Sequence, residues 1–178
     1  MGALDRVRIA IRPLAALEVL GRANEVAEIW PAASRDRVDD ILPRHAEREG
    51  FRFRAAEDEG RMVGFTYGYR GGPKQWWHDL VAAEMTEEQQ ARWLAPGHFE
   101  FVELHVRPDY RRHGLGGELH DELLRGLSSK TAVLSTQTDN EPALALYCGR
   151  RWQVVVPEMR FSPGGVPYCI LGLDLVGE

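Results

Sequence analysis

The sequence predicts an α/β fold in a single domain: a central, mixed, twisted sheet of about six or seven strands flanked by about four helices. Three observations lead there. Strand-like and helix-like patterns alternate through residues 99–150, as sheet strands joined by covering helices do. A turn signal at Asp58-Glu59-Gly60 separates two strand-like runs. The chain has 178 residues, 44% hydrophobic and 28% charged, which suits one globular core rather than two, and a folded chain rather than a disordered one.

Taken in order, Val7 to Ile11 is a β-branched run ending near Pro13, a first strand. Leu17, Leu20, Val26, Ile29 and Trp30 recur at roughly helical spacing from Leu14 to Trp30, and Pro31 stops that helix. Arg35 to Glu49 is a second, more polar helix, bent or divided at Pro43. Phe51 to Ala55 and Met62 to Tyr69 form the hairpin around Asp58-Glu59-Gly60. Residues 71–97 are the least regular part, with a short helical stretch near Thr86 to Leu94. Phe99 to Val106 is a strongly apolar strand and Gly114 to Leu127 a helix. Thr131 to Thr136 is a strand, Asn140 to Arg150 a helix, and two strands follow, from about Trp152 to Arg160 and from Tyr168 to Leu175, around a proline- and glycine-rich loop. The order is β-α-α-β-β-β-α-β-α-β-β. Internal repeats, low-complexity tracts and linkers are missing, so the domain is expected to span residues 1–178.

Composition narrows the function. A formal net charge of −5 argues against a general nucleic-acid binder, which needs a broad basic face. Cys148 and Cys169 stand alone, without ligand-like neighbours, and a reducing compartment is the default for such a pair. The N-terminal MGALDRVRIAIRPL lacks the apolar core of a signal peptide, and no apolar run approaches the length of a membrane span. The expectation is a cytoplasmic protein with neither nucleic-acid nor membrane partners, monomeric or homodimeric.

The stretch RPDYRRHGLGGELHDELL, residues 107–124, sets arginines and glycines at the mouth of a helix. A helix start leaves about four backbone N–H groups without intrahelical partners and carries roughly half a positive charge. Gly114, Gly116 and Gly117 let a bulky group approach those amides, and Arg111, Arg112 and His113 add side-chain donors. This is a cradle for a phosphate or pyrophosphate. It is neither a P-loop, because no Gly-Lys pair exists, nor a dinucleotide fingerprint, because Leu119 stands at the third glycine position.

The longer segment FVELHVRPDYRRHGLGGELHDELL resembles the acetyl-CoA-binding segment of the GNAT N-acetyltransferase superfamily: a strand ending in L-x-V, a proline, then R/Q-x-x-G-x-G/A opening a helix. NEPALALYCGRRW resembles that family's next segment through Asn140, Ala143, Leu146, Tyr147 and Trp152. AIRPL and EDEGRMVGFTYG resemble its opening strand and second hairpin, so the likeness covers nearly the whole chain in order. The resemblance implies a GNAT-like fold in which acetyl-CoA is bound by the main chain of Leu104, His105 and Val106 and by the amides of residues 112–117, Leu115 included. The family's usual glycine before the aromatic is Arg151 here, so the turn is expected to differ, with Gly149 taking that part.

The activity implied is transfer of an acetyl group from acetyl-CoA to a primary amine by direct attack. The amine must be neutral, the thioester carbonyl polarised and the departing thiolate protonated. Tyr147 is the expected acid, by its match to the family's tyrosine near the cofactor sulfur; as a bare sequence feature it also reads as an aromatic packing beside Ala143 and Leu146. Asn140 reads either as a helix cap or as a cap that also touches the cofactor. Charged residues inside Phe99–Val106 are costly unless a cleft solvates them. Glu103 is the expected base, with His105 and Glu100 as alternatives. Trp76 and Trp77 read as walls of an acceptor pocket or as a cap on the core, and Asp36, Asp39 and Asp40 as attraction for a cation or as a solvated helix face. His45, His98 and His120 lack metal-ligand spacing, and no metal is expected. A small-molecule amine is the expected acceptor. A protein N-terminus or lysine is the alternative, and a non-catalytic acyl-CoA-binding module is the rival.

Overall fold

A computed structural model describes residues 9–30 and 35–175, the side chains of residues 35–37 excepted. The elements in chain order are β1 (Ile9–Pro13), α1 (Ala16–Gly21), α2 (Ala23–Ile29), α3 (Arg35–Ala46), β2 (Arg52–Asp58), β3 (Arg61–Arg70), α4 (Trp76–Ala83), α5 (Glu87–Trp93), β4 (Phe99–Val106), a single 3-10 turn (Pro108–Tyr110), α6 (Leu115–Leu124), β5 (Thr131–Gln137), α7 (Glu141–Cys148), β6 (Gln153–Met159) and β7 (Tyr168–Asp174). The strands form one seven-stranded sheet in the order β1-β2-β3-β4-β5-β7-β6. Its pairs β1–β2, β2–β3, β5–β7 and β6–β7 are antiparallel and β4–β5 is parallel, so the sheet is mixed as expected. The chain divides into two compact units, Met1–Tyr69 with Val102–Gly126, and Arg70–Phe101 with Leu127–Glu178.

In the first unit, the apolar faces of α1, α2 and α3 (Val19, Val26, Ile29, Val38 and Leu42) close with Trp30 over Phe53, Phe65 and Tyr67 of the hairpin. Phe53 stacks on Phe65 at 5.5 Å and 10°. The hairpin turn lies where the sequence places it. Asp58 faces Arg61, and Glu59 and Gly60 take φ of 50° and 83°, the left-handed pair of a tight two-residue turn. The single helix expected over Leu14–Trp30 is instead two, broken at Arg22 with φ −114° and ψ 21°. At the break the Arg22 guanidinium donates to Glu25 at 2.6 Å and reaches Glu57. Glu57 sits at a register shift in β2, and Arg12 donates to it as well, at 2.6 Å. α3 runs through Pro43 without division. Of the strand expected at Val7–Ile11, residues 7 and 8 lie outside the described residues, as does Pro31.

The second unit shows more helix than the sequence suggests. Residues 71–97, expected to be irregular, hold α4 and α5, which brings the described helices to seven instead of about four. α4 has no side-chain N-cap, so its start carries no sequence signal, whereas α5 begins with a reciprocal cap between Thr86 and Gln89. Val81, Met85, Trp93 and Leu94 bury these helices against Val133, Val155, Val156 and Ile170. Gly172 is required there, because a Cβ would lie 2.5 Å from the Trp93 ring.

Candidate functional site

The glycine–arginine turn belongs to the first unit, and its approach is pinned at three places. The Arg107 N–H donates to the Val63 carbonyl at 2.8 Å, its Nε to the Met62 carbonyl at 3.0 Å, and its Nη2 to Glu28 Oε2 at 2.6 Å. The Tyr110 hydroxyl donates to Asp58 Oδ2 at 2.7 Å, and that hydrogen bond holds the phenol above its ordinary pKa. The Arg111 Nε turns back to the Val106 carbonyl at 2.8 Å. Arg112 then takes φ +64° and Gly114 φ +86°, and Gly114 is the N-cap of α6. Glycine accepts that angle freely and arginine does so under strain.

Residues 111–114 are exposed, whereas Leu115 and Gly117 are buried. The Leu115 side chain packs with Ala56, Val63, Val106 and Leu119, so this residue offers only its amide outward. The Glu118 N–H closes the first helical bond to Gly114, and the amides before it are the donors that a helix start leaves for an anion. Arg112 and His113 carry the exposed side chains of the cradle, while the Nε of Arg111 is spent on the end of β4.

On β4, Glu103 and His105 share a face, as the sequence predicts, and they meet. Glu103 Oε2 lies 2.6 Å from His105 Nε2. The two side chains are 26% and 20% exposed, open enough for a substrate proton to reach them. A carboxylate accepts, so Nε2 carries the proton and Nδ1 is left as the basic nitrogen. The imidazole stacks on Trp30 at 6.0 Å and 29° and leans on Phe65 at 5.5 Å. Sequence reasoning set Glu103 and His105 as alternatives, whereas the structure joins them into one carboxylate–imidazole pair. It also supplies residues that the sequence left unmarked: Trp30 under the imidazole, Arg107 and Tyr110 under the turn, and Thr66, whose buried hydroxyl donates to the Glu103 carbonyl at 2.8 Å. Arg107 and Tyr110 lie inside the quoted motif and were within reach; nothing in the local pattern marks Thr66.

The second unit holds Tyr147, Asn140, Glu100 and the two tryptophans. Tyr147 is 7% exposed on α7, its ring edge-on to Phe101 at 5.9 Å and to Trp152 at 5.6 Å. Asn140 is an N-cap, its Oδ1 accepting from the Ala143 N–H at 3.3 Å. Glu100 is buried. The two tryptophans part company. Trp77 packs into the core and its Nε1 donates to Ser135 at 3.0 Å, whereas Trp76 is 66% exposed with its ring 5.5 Å from Phe161. In the first unit Asp39 and Asp40 are exposed and Asp40 pairs with Arg44 at 2.6 Å; the side chain of Asp36 lies outside the described residues. Among the described residues there is no group of three or more His, Cys, Asp or Glu placed to hold a metal, and no helix long and apolar enough to cross a membrane.

Comparison with known proteins identifies the family and agrees with the fold. The acetyltransferase (GNAT) family matches residues 16–149, well over half of the chain. The chain belongs to the GNAT family. Among its relatives is a GCN5-like protein acetyltransferase of Mycobacterium tuberculosis, 32% identical over 121 residues, which are 64% of this chain and 59% of that protein. The chain thus aligns with about three fifths of that relative's length. Three solved GNAT-like folds, each 16% identical, superpose on nearly all of it. They are NatC bound to a Gag peptide and CoA (94% of this chain, 98% of that one, TM-score 0.67), Arabidopsis thaliana NAA60 with acetyl-CoA (93%, 99%, 0.67) and Salmonella typhimurium yncA with acetyl-CoA (96%, 95%, 0.64). At that identity the likeness establishes the GNAT fold.

One departure from the GNAT pattern resolves differently from expectation. Gly149 keeps a right-handed helical conformation at φ −63°, and Arg151 itself takes the left-handed angle, φ +66°. A residue with a Cβ is thus held at an angle that glycine adopts freely.

Proposed function

We propose that the chain is an N-acetyltransferase that moves an acetyl group from acetyl-CoA to a primary amine of a small molecule by direct attack, the work of one domain over residues 1–178. The observation that carries this reading is the left-handed Gly114 opening α6 directly after β4 and the pinned turn, an arrangement of bare amides suited to a pyrophosphate. When bound, acetyl-CoA supplies an activated thioester. The amides of residues 112–117 hold its phosphates, with Arg112 and His113 at the rim, and the main chain of Leu104, His105 and Val106 holds the arm. The Glu103–His105 pair draws the proton from the attacking amine, Nδ1 taking it while the Glu103 carboxylate holds the Nε2–H. As the C–N bond forms the C–S bond breaks, and Tyr147, the residue matching the family's tyrosine, returns a proton to the thiolate. The unpaired thiols Cys148 and Cys169 suit a reducing cytoplasm.

A protein amine is the second reading. It is favoured by the name of the mycobacterial relative, a protein acetyltransferase, and by the peptide in the NatC structure. Thiol release from acetyl-CoA, followed across polyamines, aminoglycosides, N-terminal peptides and lysine peptides, tests both. Release dependent on a small amine supports the first reading, and release dependent on a peptide alone replaces it with the second. Acetyl-CoA binding with no amine-dependent release on any panel member overturns catalysis and leaves a binding module.

A further inference from the structure

We propose that Thr66 is a positioning residue for this transfer: its hydroxyl turns the peptide between Glu103 and Leu104 out of ladder geometry and fixes the direction of the Leu104 N–H. The inference rests on the proposed acetyl transfer, in which the family resemblance gives the main chain of Leu104 a part in holding the thioester. The new element is the side chain that sets that main chain.

Thr66 is fully buried on β3, and its Oγ1 donates to the Glu103 carbonyl on the adjacent strand β4 at 2.8 Å. In a regular sheet a strand carbonyl lies near the sheet plane and accepts from a backbone N–H of its neighbour. A hydroxyl on a side chain stands off a face of the sheet, alternating with its neighbours along the strand. Phe65 and Tyr67, on either side of Thr66, point into the aromatic core cluster, so Thr66 points the other way. To meet that hydroxyl the Glu103 carbonyl must tilt toward the Thr66 face.

A second observation places a distortion at the same point. Val102 packs on the cluster containing Trp30, Phe53 and Phe65, and His105 packs on Trp30 and Phe65. These residues are three apart, and strict alternation would put them on opposite faces. The alternation is interrupted between them, as at a bulge, a device that re-aims groups beside active sites. Because the peptide is trans, its N–H runs opposite to its carbonyl. The bond that pulls the Glu103 carbonyl toward Thr66 therefore directs the Leu104 N–H away from Thr66. An amide held in that direction before substrate arrives can stabilise the charge that develops on the thioester oxygen without reorganising. The same bond steadies the strand from which Glu103 and His105 project.

The test uses acetyl-CoA labelled with carbon-13 at the carbonyl, bound without amine, and isotope-edited infrared spectroscopy of wild type, Thr66→Val, Thr66→Ala and Thr66→Ser. The expected wild-type carbonyl stretch is lower than that of free acetyl-CoA. Thr66→Ser should keep that shift, and the Val and Ala variants should lose it. In turnover with the best amine, kcat should fall by about tenfold to a hundredfold in Val and Ala, with recovery in Ser, while the acetyl-CoA Kd stays within about twofold. Thermal unfolding of each variant identifies any that does not fold, and Val and Ala, one filling the site and one vacating it, stand in for each other. A carbonyl stretch and kcat unchanged in the folded Val or Ala variant would overturn the proposal, as would a folded Ser variant that fails to recover. If wild type binds no acetyl-CoA, the acetyl-transfer reading itself fails, which is a distinguishable result.

Discussion

The Nε2 atom of His105 lies 2.6 Å from Oε2 of Glu103, on an imidazole stacked against Trp30. The pair has the logic of a base oriented by a carboxylate: Glu103 fixes the tautomer, Trp30 fixes the ring plane, and Nδ1 is left to take a proton. If both residues take part in deprotonating the amine, replacing either should depress kcat with little change in acetyl-CoA affinity. His105→Phe keeps a ring against Trp30 and removes both nitrogens. It should cost about a hundredfold or more in kcat/KM for the amine, the range of a lost general base, and a rise in assay pH should recover part of the loss by supplying neutral amine. Steady-state kinetics across pH would show this. A His105→Phe enzyme within about twofold of wild type at every pH would reduce His105 to a packing residue.

Gly64 on β3 lies against β4 and α6. A Cβ there would meet the His105 carbonyl oxygen at 3.0 Å, Leu119 Cδ1 at 3.1 Å and Val106 Cγ2 at 3.3 Å. One of these contacts is backbone and the other two are core side chains, so none can yield freely. Gly64→Ala should cost about 1–3 kcal/mol, the usual range for overpacking, seen as a lower urea midpoint with an unchanged slope. Because the pressure falls on residues 105 and 106, acetyl-CoA affinity should fall along with stability.

Arg151 offers the opposite case. It holds φ +66° at a place where the GNAT pattern has glycine, and a side chain in that region carries strain that glycine lacks. Arg151→Gly should raise stability by about 0.5–1 kcal/mol, the strain relief outweighing the added freedom of the unfolded chain. Differential scanning calorimetry would detect this as a rise of a few degrees. A lower Tm would mean that the contacts made by the arginine side chain outweigh the strain of its backbone.

Much of this was legible in the sequence because its signals are local. The Asp58-Glu59-Gly60 turn and the Gly114 helix start are each written within four or five residues, and each forms where the sequence places it. What escaped was set by partners far along the chain. Arg22, where the first helix breaks, pairs with Glu57, 35 residues on. Thr66 matters because it reaches Glu103, 37 residues on, and no periodicity announces such a bond. α4 was missed for the opposite reason: its local start is mute, since Gln75 provides no cap and the helix is held by burial of His78 and Val81. Sequence could nominate Glu103 and His105 by their shared strand face, but only the geometry joins them.

Two histidines, the buried His98 and the half-buried His45, one in each unit, set the acid response. His98 is 1% exposed, with Nδ1 3.3 Å from the Ala95 carbonyl and its ring stacked on His78 at 5.4 Å. Burial pushes its pKa from 6.5 down to about 4. His45 accepts from the Tyr67 hydroxyl or donates to it at 3.0 Å, and burial, with Arg48 and Arg44 nearby, likewise pushes it to about 4. Both groups are depressed below their unfolded values, so the unfolded chain binds protons first. Their contribution is complete above about pH 6.5 and is lost as the pH falls toward 4, up to about 3 kcal/mol for His98. Hydrogen bonds from Arg22 hold Glu25 below its ordinary 4.5, and those from Arg12 and Arg22 hold Glu57 below it against the opposing effect of burial. The carboxylate contribution is therefore lost only below about pH 4.5, which leaves the window from 6.5 to 4.5 to histidine. Urea midpoints measured at half-unit steps from pH 7.5 to 4.5 should fall steadily in wild type. His98→Gln keeps a donor for Ala95 and cannot titrate, so it should start lower and fall less steeply. Parallel curves for the two proteins would show that His98 does not carry the acid response.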